Sequence, residues 1–206
     1  MKKEYSRRNF LEKTAAGLVT ALVFPTILIA SPSTYPYKTP TSRNDLYNIP
    51  TNHLLARVIF GEANNCVTDE QIAIAYTGIN RRNDNKPYNG KGSLTEVLLH
   101  IHNGRHQYDC FTNTSTNPKI ITNFQRTLDP AEYDMKNWLK CLEIANQVMS
   151  NQYSKLNEGQ TSYIANWKIK KWKMEGKTGN WFYNSIPVII KSPDAKFFKH
   201  QFVKDP

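Results

Sequence analysis

Glu62 stands between Gly61 and Ala63 at the far end of an apolar run. A carboxyl in that position has little around it to solvate it, and partial burial raises the pKa of a carboxylic acid toward the value a general acid needs. Small neighbours also let the backbone of a polymer approach closely. The chemistry this suggests is protonation of a leaving oxygen. Spacing alone does not assign it, since a lone glutamate at a helix end is ordinarily a solvated surface group. A glycosidase that works with two carboxylates needs the second about 5 to 10 Å from the first. Asp109 is the nearest candidate by position, and it reads equally well as a turn residue before Cys110.

Two other chemistries have candidate residues. Cys110 with His106 or His200 as base would make a thiol peptidase, but no recognisable nucleophile elbow surrounds Cys110. His100, His102 and His106 would make a metal site only if they shared a face, and residues two apart on a helix face different ways. The three cysteines, Cys66, Cys110 and Cys141, match no metal-ligand spacing. No metal and no cofactor is therefore expected.

The elements that must position Glu62 read as a series of helices. Pro50-Thr51 opens a pattern in which Leu54, Leu55, Val58 and Ile59 recur at helical spacing, with Thr51 expected as the cap. Thr68-Asp69-Glu70 starts a second helix whose apolar face is Ile72, Ala75, Tyr76 and Ile79, ending at Asn80-Arg81-Arg82. Residues 83–92 hold Pro87, Gly90 and Gly92 and read as a loop. Ser93-Leu94-Thr95-Glu96 is a capping box, followed by Val97, Leu98 and Ile101 as a buried side, with Gly104 expected to stop the helix. Asp129-Pro130-Ala131-Glu132 starts the longest helix, expected to bury Trp138, Leu142, Ala145 and Met149, with Leu139 and Val148 alongside. Beyond Gly159 the pattern breaks into short pieces, Thr161 to Trp167 and Ile186 to Lys191, then a tail through His200 and Phe202. The expected fold is mainly α, one compact domain with a small irregular or β-containing C-terminal part.

The N-terminus reads as an export signal. Arg7-Arg8-Asn9-Phe10-Leu11 precedes a 17-residue uncharged run from Thr14 to Ala30, the pattern of a twin-arginine signal. Thr14, Gly17, Thr20, Pro25 and Thr26 make that run a weak membrane span, so removal near Ala30 is expected over permanent anchoring. Residues 31–48, with Pro32, Pro36 and Pro40 among Ser, Thr and Tyr, read as a linker, and residues 49–206 as the domain. The chain carries a formal charge of +10, and without residues 1–30 it keeps +7. Such a balance favours anionic partners. For a protein sent out of the cell these are wall polymers and anionic lipid, with no nucleic acid expected, and with membrane contact only through the signal segment if it is retained. The densest basic stretch, Lys168, Lys170, Lys171, Lys173 and Lys177 around Trp167 and Trp172, reads as a solvated loop or as a polymer-binding surface.

Four elements in order carry a resemblance: Gly61-Glu62-Ala63, a helix ending Asn80-Arg81, Gln107 followed by Tyr108, and a terminal His200-x-Phe202, with Thr161-Ser162-Tyr163 between the third and fourth. Over roughly Leu54 to Lys204 the chain resembles the SleB family of cell-wall hydrolases, the spore-cortex lytic enzymes. The resemblance implies a lysozyme-like fold of the lytic transglycosylase type. It also implies cleavage of the bond between N-acetylmuramic acid and N-acetylglucosamine in peptidoglycan, with Glu62 as the catalytic acid. Gln107 would bond the sugar N-acetyl group or position Glu62, and Tyr163 would donate near the scissile oxygen. Asn80 would tie the helix end to the glutamate loop, while Tyr108, Trp167 and Trp181 would be apolar platforms for sugar rings or core residues. Partners would be peptidoglycan strands and the twin-arginine export machinery. The family commonly continues Arg-Gly-Glu after Gly-Glu-Ala, where this chain has Asn64-Asn65-Cys66, and the lysine-rich stretch has no obvious counterpart. A Cys66–Cys110 bridge after export is the expected pairing, because both cysteines lie just beyond the segments that meet at Glu62. The alternative class is an inactive wall-binding protein that keeps the fold.

Overall fold

The computed structural model describes residues 39–84, 86–177 and 185–204. Arg7, Arg8 and the rest of the export signal lie outside the described residues, as do residues 31–38 of the expected linker and Trp181. Helix α1 (Thr51–Ala63) buries Leu54 through Phe60 without a break. Apolar side chains around most of its circumference make it the central helix and not a surface one. It packs against α2 (Thr68–Asp84), α3 (Leu94–Leu98), α4 (Pro118–Leu128) and α5 (Pro130–Met149). Arg57, also buried, lays its guanidinium over the Trp138 ring at 5.0 Å and donates to the Leu128 carbonyl.

The chain is mainly helical with a small C-terminal sheet, as expected. The linker boundary at Asn48 falls inside the fold, because a 3-10 turn at Asn44–Asn48 buries Leu46 completely. Thr51 is the first residue of α1 and not its cap; Pro50 holds the cap position, and the Thr51 hydroxyl meets that of Thr95 at 3.0 Å. The capping box on α3 is present: the Ser93 N–H donates to Glu96 Oε2 at 2.6 Å and the Glu96 N–H to Ser93 Oγ at 3.3 Å.

Residues 101 to 106 differ from the sequence reading. Ile101 lies in a two-residue strand β1 (Ile101–His102), 43% exposed, paired antiparallel with β2 (Arg105–His106). Asn103 and Gly104 turn between them with φ of 50° and 74°. A two-residue hairpin loop needs positive φ at both positions, and Asn-Gly is the pair that adopts it most readily. Gly104 therefore turns a hairpin instead of stopping a helix. Helix α4 is a further element beyond those the hydrophobic spacing marks; Asn117 caps it by accepting from the Lys119 N–H, with Pro118 following at the first helical position.

Helix α5 is broken at Asp134, whose φ and ψ are −160° and 83°. Its carboxylate accepts from the Asn137 N–H and side chain and restarts the helix like an N-cap. The buried face is Trp138, Cys141, Ala145 and Val148, whereas Leu139 and Met149 are exposed. Past α5, β3 (Ser162–Ala165), β4 (Ile186–Val188) and β5 (His200–Lys204) form an antiparallel sheet in the order β3-β5-β4. Tyr163 pairs with Phe202 and Ala165 with His200. Between β3 and β4 the lysine-rich stretch forms α6 (Asn166–Met174), which buries Ile169 against Ile164 and Val203. It is a helix, not a loop. Among the described residues no helix is long and apolar enough to cross a membrane.

Candidate active site

Glu62 occupies the last turn of α1, and the residue before it decides what approaches. A Cβ built on Gly61 would lie 2.3 Å from the Cβ of Cys110 and 2.8 Å from Thr127 Oγ1. Only a residue without a side chain lets the 3-10 turn Asp109–Phe111 sit directly on the helix end. Asn123 of α4 holds the other side, donating to the Gly61 carbonyl at 3.1 Å. The turn then delivers the Cys110 N–H to Glu62 Oε1 at 2.8 Å. From the sheet, the Tyr163 hydroxyl faces the same carboxylate and favours its charged form, more weakly than the Cys110 N–H.

The end of α2 sets the position of both donor segments. Arg81 is buried, with its Nε donating to the Thr161 carbonyl at 2.6 Å and its terminal nitrogens reaching the Gln107 carbonyl and Ser162 Oγ, both at 3.4 Å. Its guanidinium also covers the Tyr108 ring at 4.9 Å. One side chain thus joins the Gln107-Tyr108 segment to the start of β3. Asn80 donates to Asn157 Oδ1 at 2.8 Å and to the Gln160 carbonyl at 2.7 Å. Its duty is structural, and it anchors the loop leading into β3 rather than the glutamate end of α1.

Burial is the largest influence on Glu62 and raises its pKa above the usual carboxylate value. The Cys110 N–H and the Tyr163 hydroxyl stabilise the charged form and oppose the rise, while the Asp109 charge adds to it. Tyr163 is itself held well above the ordinary phenol value, first by burial and then by the Glu62 charge, so it remains a donor. The set comprises one partly buried carboxyl whose acid form is favoured by burial, one fixed backbone donor, the neighbouring Tyr163 hydroxyl and an exposed second carboxylate on Asp109.

The remaining predicted residues divide. Gln107 is partly buried and its amide donates to the Tyr88 carbonyl. Tyr108 is 1% exposed, its hydroxyl 3.3 Å from Thr77 Oγ1, which makes it a core residue and not a platform for a sugar ring. Trp167 is exposed on α6. Cys110 is fully buried, and burial followed by the Glu62 charge holds its thiol well above the usual value, which opposes a nucleophilic role. The expected Cys66–Cys110 bridge is not formed: all three cysteines are free, with Cys110 packed on Gly61 and Cys66 grouped with Glu70 and His200. A cavity of about 270 Å³ lies elsewhere, between α2 and α5, lined by Tyr76, Ile79, Arg82, Val148 and Met149.

Arg81 is the site residue whose role the sequence concealed. A basic residue in the last turn of a helix reads as a complement to the helix dipole, and nothing local signals burial over an aromatic ring. No protein family, curated protein or solved structure matches this chain.

Proposed function

We propose that this chain is an exported peptidoglycan-cleaving enzyme that cuts the N-acetylmuramic acid to N-acetylglucosamine bond, with Glu62 as its single acid and base. The reading rests on one observation: the Glu62 carboxyl is partly buried, raised in pKa, and held by the Cys110 N–H from a separate segment. Such a group is protonated over a wider pH range than a surface glutamate, and its orientation is fixed before substrate arrives.

The reaction then has two proton movements. The Glu62 carboxylic acid gives its proton to the glycosidic oxygen as the bond from C1 to that oxygen breaks, releasing the downstream sugar. The Glu62 carboxylate next takes the proton of the muramic C6 hydroxyl as O6 bonds to C1, closing a 1,6-anhydro ring. Acid and base are restored and no water is consumed. The Cys110 N–H and the Tyr163 hydroxyl stabilise the carboxylate that exists between the two steps. Export through the twin-arginine route would bring the folded domain to a substrate that lies outside the cytoplasm.

Clearing of a suspension of purified peptidoglycan, measured alongside co-sedimentation with the same material, tests the reading. Wild type should clear and bind, and Glu62→Gln should bind without clearing. Binding with no clearing by either form would instead support the inactive wall-binding protein.

A further inference from the structure

Cys66, Glu70 and His200 converge beside Tyr163: the His200 ring meets the Tyr163 ring edge-on at 5.3 Å. The sulfur, a carboxylate oxygen and a ring nitrogen of these three residues all lie within 4.8 Å of one another. Cys66 comes from the α1–α2 connection, Glu70 from the first turn of α2 and His200 from the start of β5. Glu70 is 0% exposed, and its two oxygens have different surroundings. Oε1 accepts three hydrogen bonds, from the backbone N–H of Lys199 at 2.6 Å, that of His200 at 2.8 Å and His200 Nδ1 at 2.9 Å. Oε2 is buried with no hydrogen-bond partner, and the Cys66 thiol lies close to the Glu70 carboxylate. The structural duty of Glu70, holding β5 to α2, is met by Oε1 alone. A buried carboxylate oxygen with nothing to bond is costly, and a cation is one of the ligands that relieves it.

We propose that Cys66, Glu70 and His200 form a binding site for one divalent cation of the zinc class. Thiolate, imidazole and carboxylate are the three ligand types zinc takes from proteins. Ligands at zinc-bond lengths in a tetrahedron stand about 3.5 Å apart, so side-chain movements of roughly 1 Å close the set. Three bonds form, to sulfur, to a carboxylate oxygen and to a ring nitrogen of His200; the thiol proton leaves to solvent, the neutral imidazole carries its one N–H on the nitrogen that does not bind, and a water completes the fourth position. The two backbone N–H groups on Oε1 stay in place and orient the carboxylate, as outer hydrogen bonds do for metal-bound groups. Lys199 is the opposing charge. Its Nζ is exposed to solvent and bonded to the Asn65 carbonyl at 2.8 Å, so water screens it from the site. A cation there would lock α2 to β5 beside Tyr163. The site stands whether or not Glu62 is catalytic.

Cobalt and zinc titrations of the full chain, after chelator treatment, test this. One equivalent of Co²⁺ should bind and give a thiolate-to-cobalt charge-transfer band in the near ultraviolet, which Zn²⁺ then displaces. The band should vanish in Cys66→Ser and persist in Cys141→Ser. Zn²⁺ should raise the thermal midpoint of wild type but not of Cys66→Ser, a readout independent of the spectrum. Glu70→Gln should weaken Co²⁺ binding by at least about tenfold. Failure of wild type to bind either metal at micromolar concentration, or a band that survives in Cys66→Ser, overturns the proposal.

Discussion

The Cys110 N–H donates to Glu62 Oε1 at 2.8 Å from a turn that reaches α1 because Gly61 presents no side chain to it. The bond and the glycine are one device, since the added methyl of an alanine would overlap the Cys110 side chain, which belongs to a packed core and cannot swing away. Gly61→Ala should therefore destabilise the fold by about 1–3 kcal/mol through overpacking and reduce peptidoglycan clearing by displacing the donor. Urea denaturation reads the first effect and initial clearing rates read the second. Wild-type stability together with wild-type rate would contradict this account of the turn.

Asp109 and Tyr163 act on the Glu62 proton with opposite signs. In the proposed reaction Glu62 starts protonated, so the rate should fall as pH rises through its pKa. The Asp109 charge raises that pKa; Asp109→Asn should lower it and move the alkaline limb of the pH–rate profile to lower pH, with activity retained. The Tyr163 hydroxyl stabilises the carboxylate; Tyr163→Phe should move the same limb to higher pH while slowing the reaction. Profiles of clearing rate check both. Loss of activity at every pH in Asp109→Asn would point instead to a two-carboxylate hydrolase.

Arg81 holds three acceptors on two segments while covering the Tyr108 ring. Lysine keeps the charge but not the planar fork. Arg81→Lys should cost about 2 kcal/mol, the scale of charged hydrogen bonds left unmade. Chemical denaturation measures it, and a loss below a few tenths of a kcal/mol would show that the fork is not needed.

Helix α6 faces two ways. Ile169 is buried, Trp172 is partly buried with Lys168 Nζ 5.4 Å from its ring, and Trp167 and Met174 are 67% and 81% exposed among the lysines. A basic helix with exposed apolar side chains among its lysines is suited to an anionic polymer or surface. Replacing Lys168, Lys170, Lys171 and Lys173 with glutamine should weaken binding to purified wall fragments and flatten its salt dependence. Binding that is unchanged at every salt concentration would leave these lysines as a solvated face.

How much of this the residues announce depends on whether the deciding force is local. The capping box Ser93–Glu96 and the start of α2 are local and read correctly. The buried face of α5 is set by what packs on it: Cys141 and Val148 point at the core and Met149 does not, a rotation of about one residue that hydrophobicity alone does not resolve. Asn103-Gly104 carried a hairpin signal, but its flanks Ile101-His102 and Arg105-His106 lack the alternation that marks strands. At the site, the small neighbours Gly61 and Ala63 are local and visible in the sequence, and what they allow to approach Glu62 is not. The burial of Tyr108, the bracing by Arg81 and the grouping of Cys66 with His200 depend on contacts between residues far apart in sequence.

If Glu62 alone performs both proton transfers, the ends left on cut glycan strands record it. Mass spectrometry of fragments released from purified peptidoglycan should find 1,6-anhydromuramic ends with wild type and no release with Glu62→Gln. Fragments with reducing ends, or equal release by Glu62→Gln, would contradict it.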